Sequence, residues 1–124
     1  PAGAIAYAMD VKAIGTMNVE FYSGIGETLT EPILLPPLMD VSAMDGKRVL
    51  VVDDVADSGK TLKMVMDLID EHGLSLDGSS SIRVDARSAV IYKKPVSIIE
   101  PDYVWHLTDK WINFPWSTLP VIQP

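Results

Sequence analysis

The chain has 124 residues, 48% hydrophobic and 22% charged, which is the composition of one globular domain with a modest core. Its net charge of −7 argues against nucleic acid or an anionic membrane surface as partners, since neither counterion release nor acidic lipid favours an acidic protein. It has no cysteine, which excludes disulfides and thiolate metal sites and fits a reducing compartment such as the cytoplasm; no apolar run reaches the ~18 residues of a membrane span, and no signal peptide is visible.

In chain order, residues 2–9, Ala-Gly-Ala-Ile-Ala-Tyr-Ala-Met, are small and apolar and predict a tightly packed helix or its remaining half. The chain opens at Pro1 inside that segment, so the natural N-terminus is expected further upstream. Residues 11–22 predict a strand around Ile14, Met17, Val19 and Phe21. Residues 23–40 hold Gly24, Gly26, Pro32, Pro36 and Pro37 without clean periodicity. Proline cannot donate to a ladder, so a central strand is disfavoured there, and a loop this long is expected to be a lid, a binding loop or disordered. Met44-Asp45-Gly46 predicts a turn.

Residues 47–53 form a valine-rich apolar run, the pattern of a strand buried on both faces in a parallel sheet. Over residues 60–71, Leu62, Val65, Met66 and Ile69 recur at helical spacing. Asp67, Asp70 and Glu71 then face water, and Gly73 can end the helix. Residues 74–87 are polar and predict a surface excursion; residues 89–92 predict a second buried strand. Residues 103–106 and 111–114 predict short strands or extended segments. Strand, helix, strand in this order implies an α/β fold with a parallel sheet.

The chemistry concentrates in Val49-Leu50-Val51-Val52-Asp53-Asp54-Val55-Ala56-Asp57-Ser58-Gly59-Lys60-Thr61. Ligands of open α/β sheets bind beyond the carboxyl ends of the strands, where Asp53 and Asp54 fall. Adjacent carboxylates can accept from a vicinal diol or hold Mg2+. The following Asp57-Ser58-Gly59-Lys60-Thr61 turn opens a helix, whose first amides and dipole favour an anion. Gly59 lets the backbone approach closely, Ser58 and Thr61 add hydroxyls, and Lys60 adds charge. A diol acceptor followed by a phosphate cradle is the footprint of a ribose 5-phosphate. The plainer alternative is a buried strand, a polar turn and a helix capped by Asp57 or Ser58. A Walker A loop does not fit, because its first glycine would fall at Asp54. A receiver domain does not fit either, because no later aspartate ends a strand to serve as phosphoacceptor.

The same stretch resembles the phosphoribosyl-pyrophosphate (PRPP) signature of type I phosphoribosyltransferases: apolar strand, acidic pair, third acid and Ser-Gly-x-Thr turn, in order. Asp57, Tyr92-Lys93-Lys94-Pro95 and Trp111-Ile112-Asn113-Phe114-Pro115-Trp116 resemble the 6-oxopurine branch, the xanthine-guanine and hypoxanthine enzymes. The resemblance covers nearly the whole chain as a single domain. It implies a Rossmann-like fold with a mostly parallel central sheet flanked by helices, a mobile lid at residues 23–40 and a small base-binding C-terminal segment.

It further implies that Asp53 and Asp54 hold the ribose hydroxyls, with Mg2+ reached indirectly through PRPP, and that Asp57, Ser58, Gly59, Lys60 and Thr61 wrap the 5-phosphate. Asp57 becomes the catalytic residue at purine N7, Lys94 the contact to the 6-oxo group, Trp111 the stacking ring and Ile112 the backbone contact at the 2-position. The plainer readings are a packing role for Trp111, solvated Lys93 and Lys94, structural Trp105 and Trp116, and a surface or supporting His106. The implied activity is phosphoribosyl transfer from PRPP to a 6-oxopurine, in purine salvage, by a homodimer or higher homo-oligomer. The family's first strand and pyrophosphate loop precede the helix of residues 2–9 and are expected to be missing from this sequence. The rival from another class is a non-catalytic PRPP or nucleotide sensor on the same fold. Lys94 and Trp111 favour the enzyme, because a sensor of PRPP alone needs no base contacts.

Overall fold

The valine-rich run forms strand β2, Arg48–Ala56, in a computed structural model that describes residues 1–17, 19, 33–34, 44–75 and 81–124. Helix α1, Ala2–Ala8, and a two-residue strand β1, Ile33–Leu34, precede it. Helix α2, Lys60–His72, strand β3, Leu74–Ser75, strand β4, Asp85–Lys93, strand β5, Tyr103–Leu107, and a 3-10 turn, Pro115–Ser117, follow it.

The main sheet is parallel in the order β2-β4-β5, and a second pair joins β1 to β3, also parallel. Parallel neighbours need a crossover, and α2 supplies the one between β2 and β4. The register is the feature that matters for the site. Ala56 pairs with Lys93, and Lys93 pairs with Leu107, so the three strands end level. Whatever follows each strand therefore emerges on one edge. The β4–β5 register is pinned by Asp102, whose carboxylate accepts the Ser88 amide at 2.8 Å while its own amide donates to the Ser88 hydroxyl at 3.2 Å.

α2 forms because Leu62, Val65, Leu68 and Ile69 recur on one face, and all four are buried. Fully burying such a side chain contributes roughly 1.5–3 kcal/mol. Val65, Leu68 and Ile69 pack with Leu74, while Leu62 packs with Ala56 and Val90 beneath the strand ends. The helix stops at Gly73, which turns out of helical geometry with φ 75°, and Arg83 Nη1 donates to the Asp70 and Glu71 carbonyls at 2.9 and 3.0 Å. Among the described residues, no helix is long and apolar enough to cross a membrane.

Several sequence expectations change. α1 buries none of its residues, and Tyr7 is 90% exposed, so the helix is not tightly packed. Its Ile5 only borders an open hollow of about 530 Å3, lined also by Val52, Asp53, Ala89, Tyr103 and Trp105. Residues 11–17 are not a strand; the rest of that expected strand, except Val19, lies outside the described residues. β2 is half-buried for most of its length rather than buried on both faces, because it is an edge of the described sheet. The segment 74–87 is not wholly a surface excursion: Leu74 and Ser75 are buried in β3, and β4 begins at Asp85. Residues 111–114 form no strand. The expected lid falls outside the described residues apart from β1.

Candidate active site

The level strand ends put two turns side by side: the one from β2 into α2 and the one leaving β4. The acidic pair precedes the first turn: β2 continues past Asp53 and Asp54 to Ala56, so the pair lies inside the strand and not at its end as the sequence suggests. The Asp54 amide donates to Asp53 Oδ1 at 2.8 Å. Asp53 is half-buried, and this burial pushes its carboxyl above the ordinary range, with the neighbouring Asp54 charge adding to the push and the Asp54 amide opposing it. A carboxylate held in this way gains from any ligand that brings hydroxyl donors or a cation to it. Among the described residues, no group of three acidic or imidazole side chains forms a closed metal cage.

After Ala56 the chain turns through Asp57 and Ser58 to Gly59, the N-cap of α2. Gly59 lies in the left-handed region at φ 76°, ψ 0°, so the cap is neither Asp57 nor Ser58 as the sequence suggests. A glycine cap has no side chain to bond the first-turn amides. Ser58 Oγ takes the Lys60 amide at 3.3 Å, and the Lys63 amide closes the first helical bond to the Gly59 carbonyl at 2.9 Å. Ser58, Lys60 and Thr61 are exposed around this helix start. The arrangement suits an anion.

The second turn brings a lysine onto the first. The Lys94 amide donates to the Ala56 carbonyl at 3.0 Å, continuing the β2–β4 ladder one step past the strands. Lys94 Nζ then stands 3.5 Å from Asp57 Oδ2 and 5.8 Å from the centre of the Trp111 ring. Its stem is largely covered, with the side chain 15% exposed, whereas Asp57 is 61% exposed. Trp111 is 82% exposed, which leaves its ring face open to a stacking partner. The adjacent Lys93 ion-pairs with Glu100 instead.

Ile112 is half-buried between Trp111 and the buried Phe114. Phe114 stacks on Trp116 at 4.7 Å and approaches Tyr92 at 6.1 Å, which anchors the C-terminal segment to β4. Trp105 meets Tyr92 edge-on at 5.6 Å and lies 4.1 Å from His106. The structure thus brings Asp57 and Trp111 to Lys94 and leaves Asp53 and Asp54 further back, inside β2. Sequence reasoning missed Ser97 and Ile98, which brace the turn from β2 into α2. The Ile98 amide donates to the Ser58 carbonyl at 2.8 Å, and no local pattern around Val96-Ser97-Ile98 announces that contact.

The parallel sheet carries the Gly59 turn and the Lys94–Trp111 pair at its carboxyl edge, the place where ligands of open α/β sheets bind. The family model for the phosphoribosyl transferase domain matches residues 1–121, and the chain belongs to that family. It is similar to the xanthine-guanine phosphoribosyltransferase of Gluconobacter oxydans, 32% identical over 126 residues that take in all of this chain. It is also similar to that of a Ruegeria species, 31% identical over 133 residues, and the chain spans 66% of the length of each of these two relatives. A hypoxanthine-guanine phosphoribosyltransferase of Canis lupus familiaris matches 59% of this chain at 32% identity and 31% of its own length. Among solved structures, a purine phosphoribosyltransferase from Pyrococcus horikoshii is 34% identical, with a TM-score of 0.49, covering 78% of this chain and 54% of the other.

Proposed function

We propose that this chain carries the catalytic site of a 6-oxopurine phosphoribosyltransferase, using PRPP and guanine, xanthine or hypoxanthine. The carrying observation is the convergence of Asp57, Lys94 and Trp111 beside the Gly59 turn. A purine presents an oxo acceptor and N7 on adjacent positions of one edge, and a lysine and a carboxylate 3.5 Å apart match that edge. Trp111 offers the base a stacking face. The Ile112 backbone is assigned to the 2-position.

Ribose hydroxyls donate to Asp53 and Asp54, and the 5-phosphate sits on the helix start from Asp57 to Thr61. Asp53 and Asp54 would reach a Mg2+ ion only through bound PRPP, and that ion would supply charge neutralisation for the pyrophosphate leaving group. The C1′–O bond to pyrophosphate breaks, the C1′–N9 bond forms, and Asp57 takes the proton released from the purine at N7. The products are a nucleoside monophosphate and pyrophosphate. The protein's contribution is positioning and electrostatics more than covalent chemistry. We assign the reaction to purine salvage in the cytoplasm, in a homodimer or higher homo-oligomer.

The test is an assay of the full-length protein with PRPP, Mg2+ and guanine, xanthine, hypoxanthine, adenine or orotate in turn. Turnover with the oxopurines and not with adenine or orotate is expected. Absence of turnover with any base, together with tight PRPP or nucleotide binding, would replace the enzyme by the non-catalytic sensor.

A further inference from the structure

The loop leaving β4 does more than deliver Lys94. It is tied to itself and to the phosphate turn at several points. The Ser97 amide donates to the Lys94 carbonyl at 3.1 Å, closing a tight turn. The Ser97 hydroxyl donates to the Ile99 carbonyl at 2.9 Å and receives the Ile99 amide at 3.4 Å. Between these locks, the Ile98 amide reaches across to the Ser58 carbonyl at 2.8 Å.

The fit is close on the other side as well. A Cβ on Gly59 would run into Ser97 Oγ and would come within 2.9 Å of Ile99 Cγ2 and 3.1 Å of the Ile98 nitrogen. Gly59 is buried by this loop, although it sits at the mouth of the site. The loop that begins at the base-side lysine therefore ends pressed against the phosphate-side glycine.

A nucleotide is a ligand of fixed span, with the base at one end and the phosphate at the other. Binding it needs two half-sites at a set separation; binding either half alone does not. A scaffold element that fixes that separation matters only to a ligand bridging both halves, because only that ligand bears the cost of ordering them. The backbone bond from Ile98 to Ser58 depends on the turn conformation, and the Ser97 hydroxyl is the side chain that holds this conformation.

We propose that Ser97 is a positioning residue that sets the distance between the base half-site at Lys94 and Trp111 and the phosphate half-site at Ser58 to Thr61. The inference rests on the phosphoribosyltransferase reading above. Ser97 acts through Ile98 and Gly59 and touches no substrate atom itself.

The experiment is an NMR titration of the full-length protein and its Ser97→Ala variant with guanine, ribose 5-phosphate and GMP. The variant should bind guanine and ribose 5-phosphate within about two-fold of wild type and bind GMP about ten-fold more weakly, the signature of lost pre-organisation. Equal weakening of all three ligands, or no weakening of GMP, overturns the proposal. A second measurement needs no variant. In the wild-type protein, GMP should slow hydrogen exchange at the Ile98 amide by about three-fold or more, and unchanged exchange overturns the proposal. If the wild type binds neither ribose 5-phosphate nor GMP, the functional reading fails and the positioning role fails with it.

Discussion

Lys94 Nζ and Asp57 Oδ2 lie 3.5 Å apart, on two different turns, because Ala56 and Lys93 are register partners at the ends of β2 and β4. The ion pair is half in solvent, and such pairs contribute roughly 0–1 kcal/mol to stability. Under the proposed function, its value is that two groups of opposite charge stand where one edge of a planar base would meet both.

Asp57→Asn therefore tests chemistry apart from folding. Thermal unfolding should shift little, within the ~1 kcal/mol of an exposed pair. Turnover should fall by about 100-fold or more, the scale of general acid–base assistance, while the KM for PRPP changes far less. Equal losses in turnover and PRPP affinity would show that Asp57 only holds the phosphate turn together.

Lys94→Met keeps most of the covered stem and removes the charge. Losing a charge-assisted hydrogen bond worth about 1.5–3 kcal/mol should raise the KM for the purine by about 10- to 100-fold with little effect on PRPP. Trp111→Ala should weaken the base by about 1–3 kcal/mol through lost stacking, again sparing PRPP. Steady-state kinetics with each substrate varied in turn reads both. A Trp111 variant with unchanged base affinity would return that ring to a surface role.

Gly59 and Gly46 make a matched pair for the backbone. Both lie in the left-handed region, at φ 76° and 72°, but a Cβ on Gly46 meets nothing within 4 Å. Gly46→Ala should cost about 1–2 kcal/mol, the left-handed penalty alone. Gly59→Ala carries that penalty and also drives the Ser97–Ile99 loop away, so it should unfold at a lower temperature than Gly46→Ala and lose nucleotide binding. Thermal melts of the two variants side by side decide this, and equal melting temperatures would refute it.

Asp53 gives a pH signature whose sign is fixed by burial. Its carboxyl titrates above the ordinary range in the folded protein, so the folded state holds the proton more tightly than the unfolded chain does. That contribution to stability is present in full below the unfolded value of 3.8 and is lost as pH rises through the higher folded value. At neutral pH the ionised group is a liability. Asp53→Asn should therefore melt at a higher temperature than wild type at pH 7, with the advantage shrinking as the pH falls to about 3.8 and below. The same variant should bind PRPP with Mg2+ more weakly. Melts across pH on the unliganded protein check the first point, and a PRPP titration checks the second.

Some of this was readable directly from the chain. α2 was legible because its apolar residues repeat at the helical period, and a period survives whatever the helix packs against. Asp53, Asp54 and the turn to Thr61 were legible because one strand end and one helix start are contiguous in sequence. The start of β4 was not. Asp85, Ala86 and Arg87 look like loop, yet they pair with Arg48, Val49 and Leu50, and ladder bonds come from backbone whatever the side chain. Likewise the cap proved to be Gly59, because Ser97 and Ile99 press against that position from a loop far along the chain.

By itself the sequence determined the class of fold, since that is written in local pattern, in valine runs and a helical period; it also pointed to a candidate site, the carboxylates before a small-residue turn. Only the tertiary structure decided that Lys94 faces Asp57, that the exposed Trp111 ring lies by Lys94, and that Ser97 braces Gly59. Those relationships depend on strand register and loop packing. A shift of one residue in the β2–β4 ladder would place Lys93 where Lys94 now stands, and no local pattern can report which register the core selects.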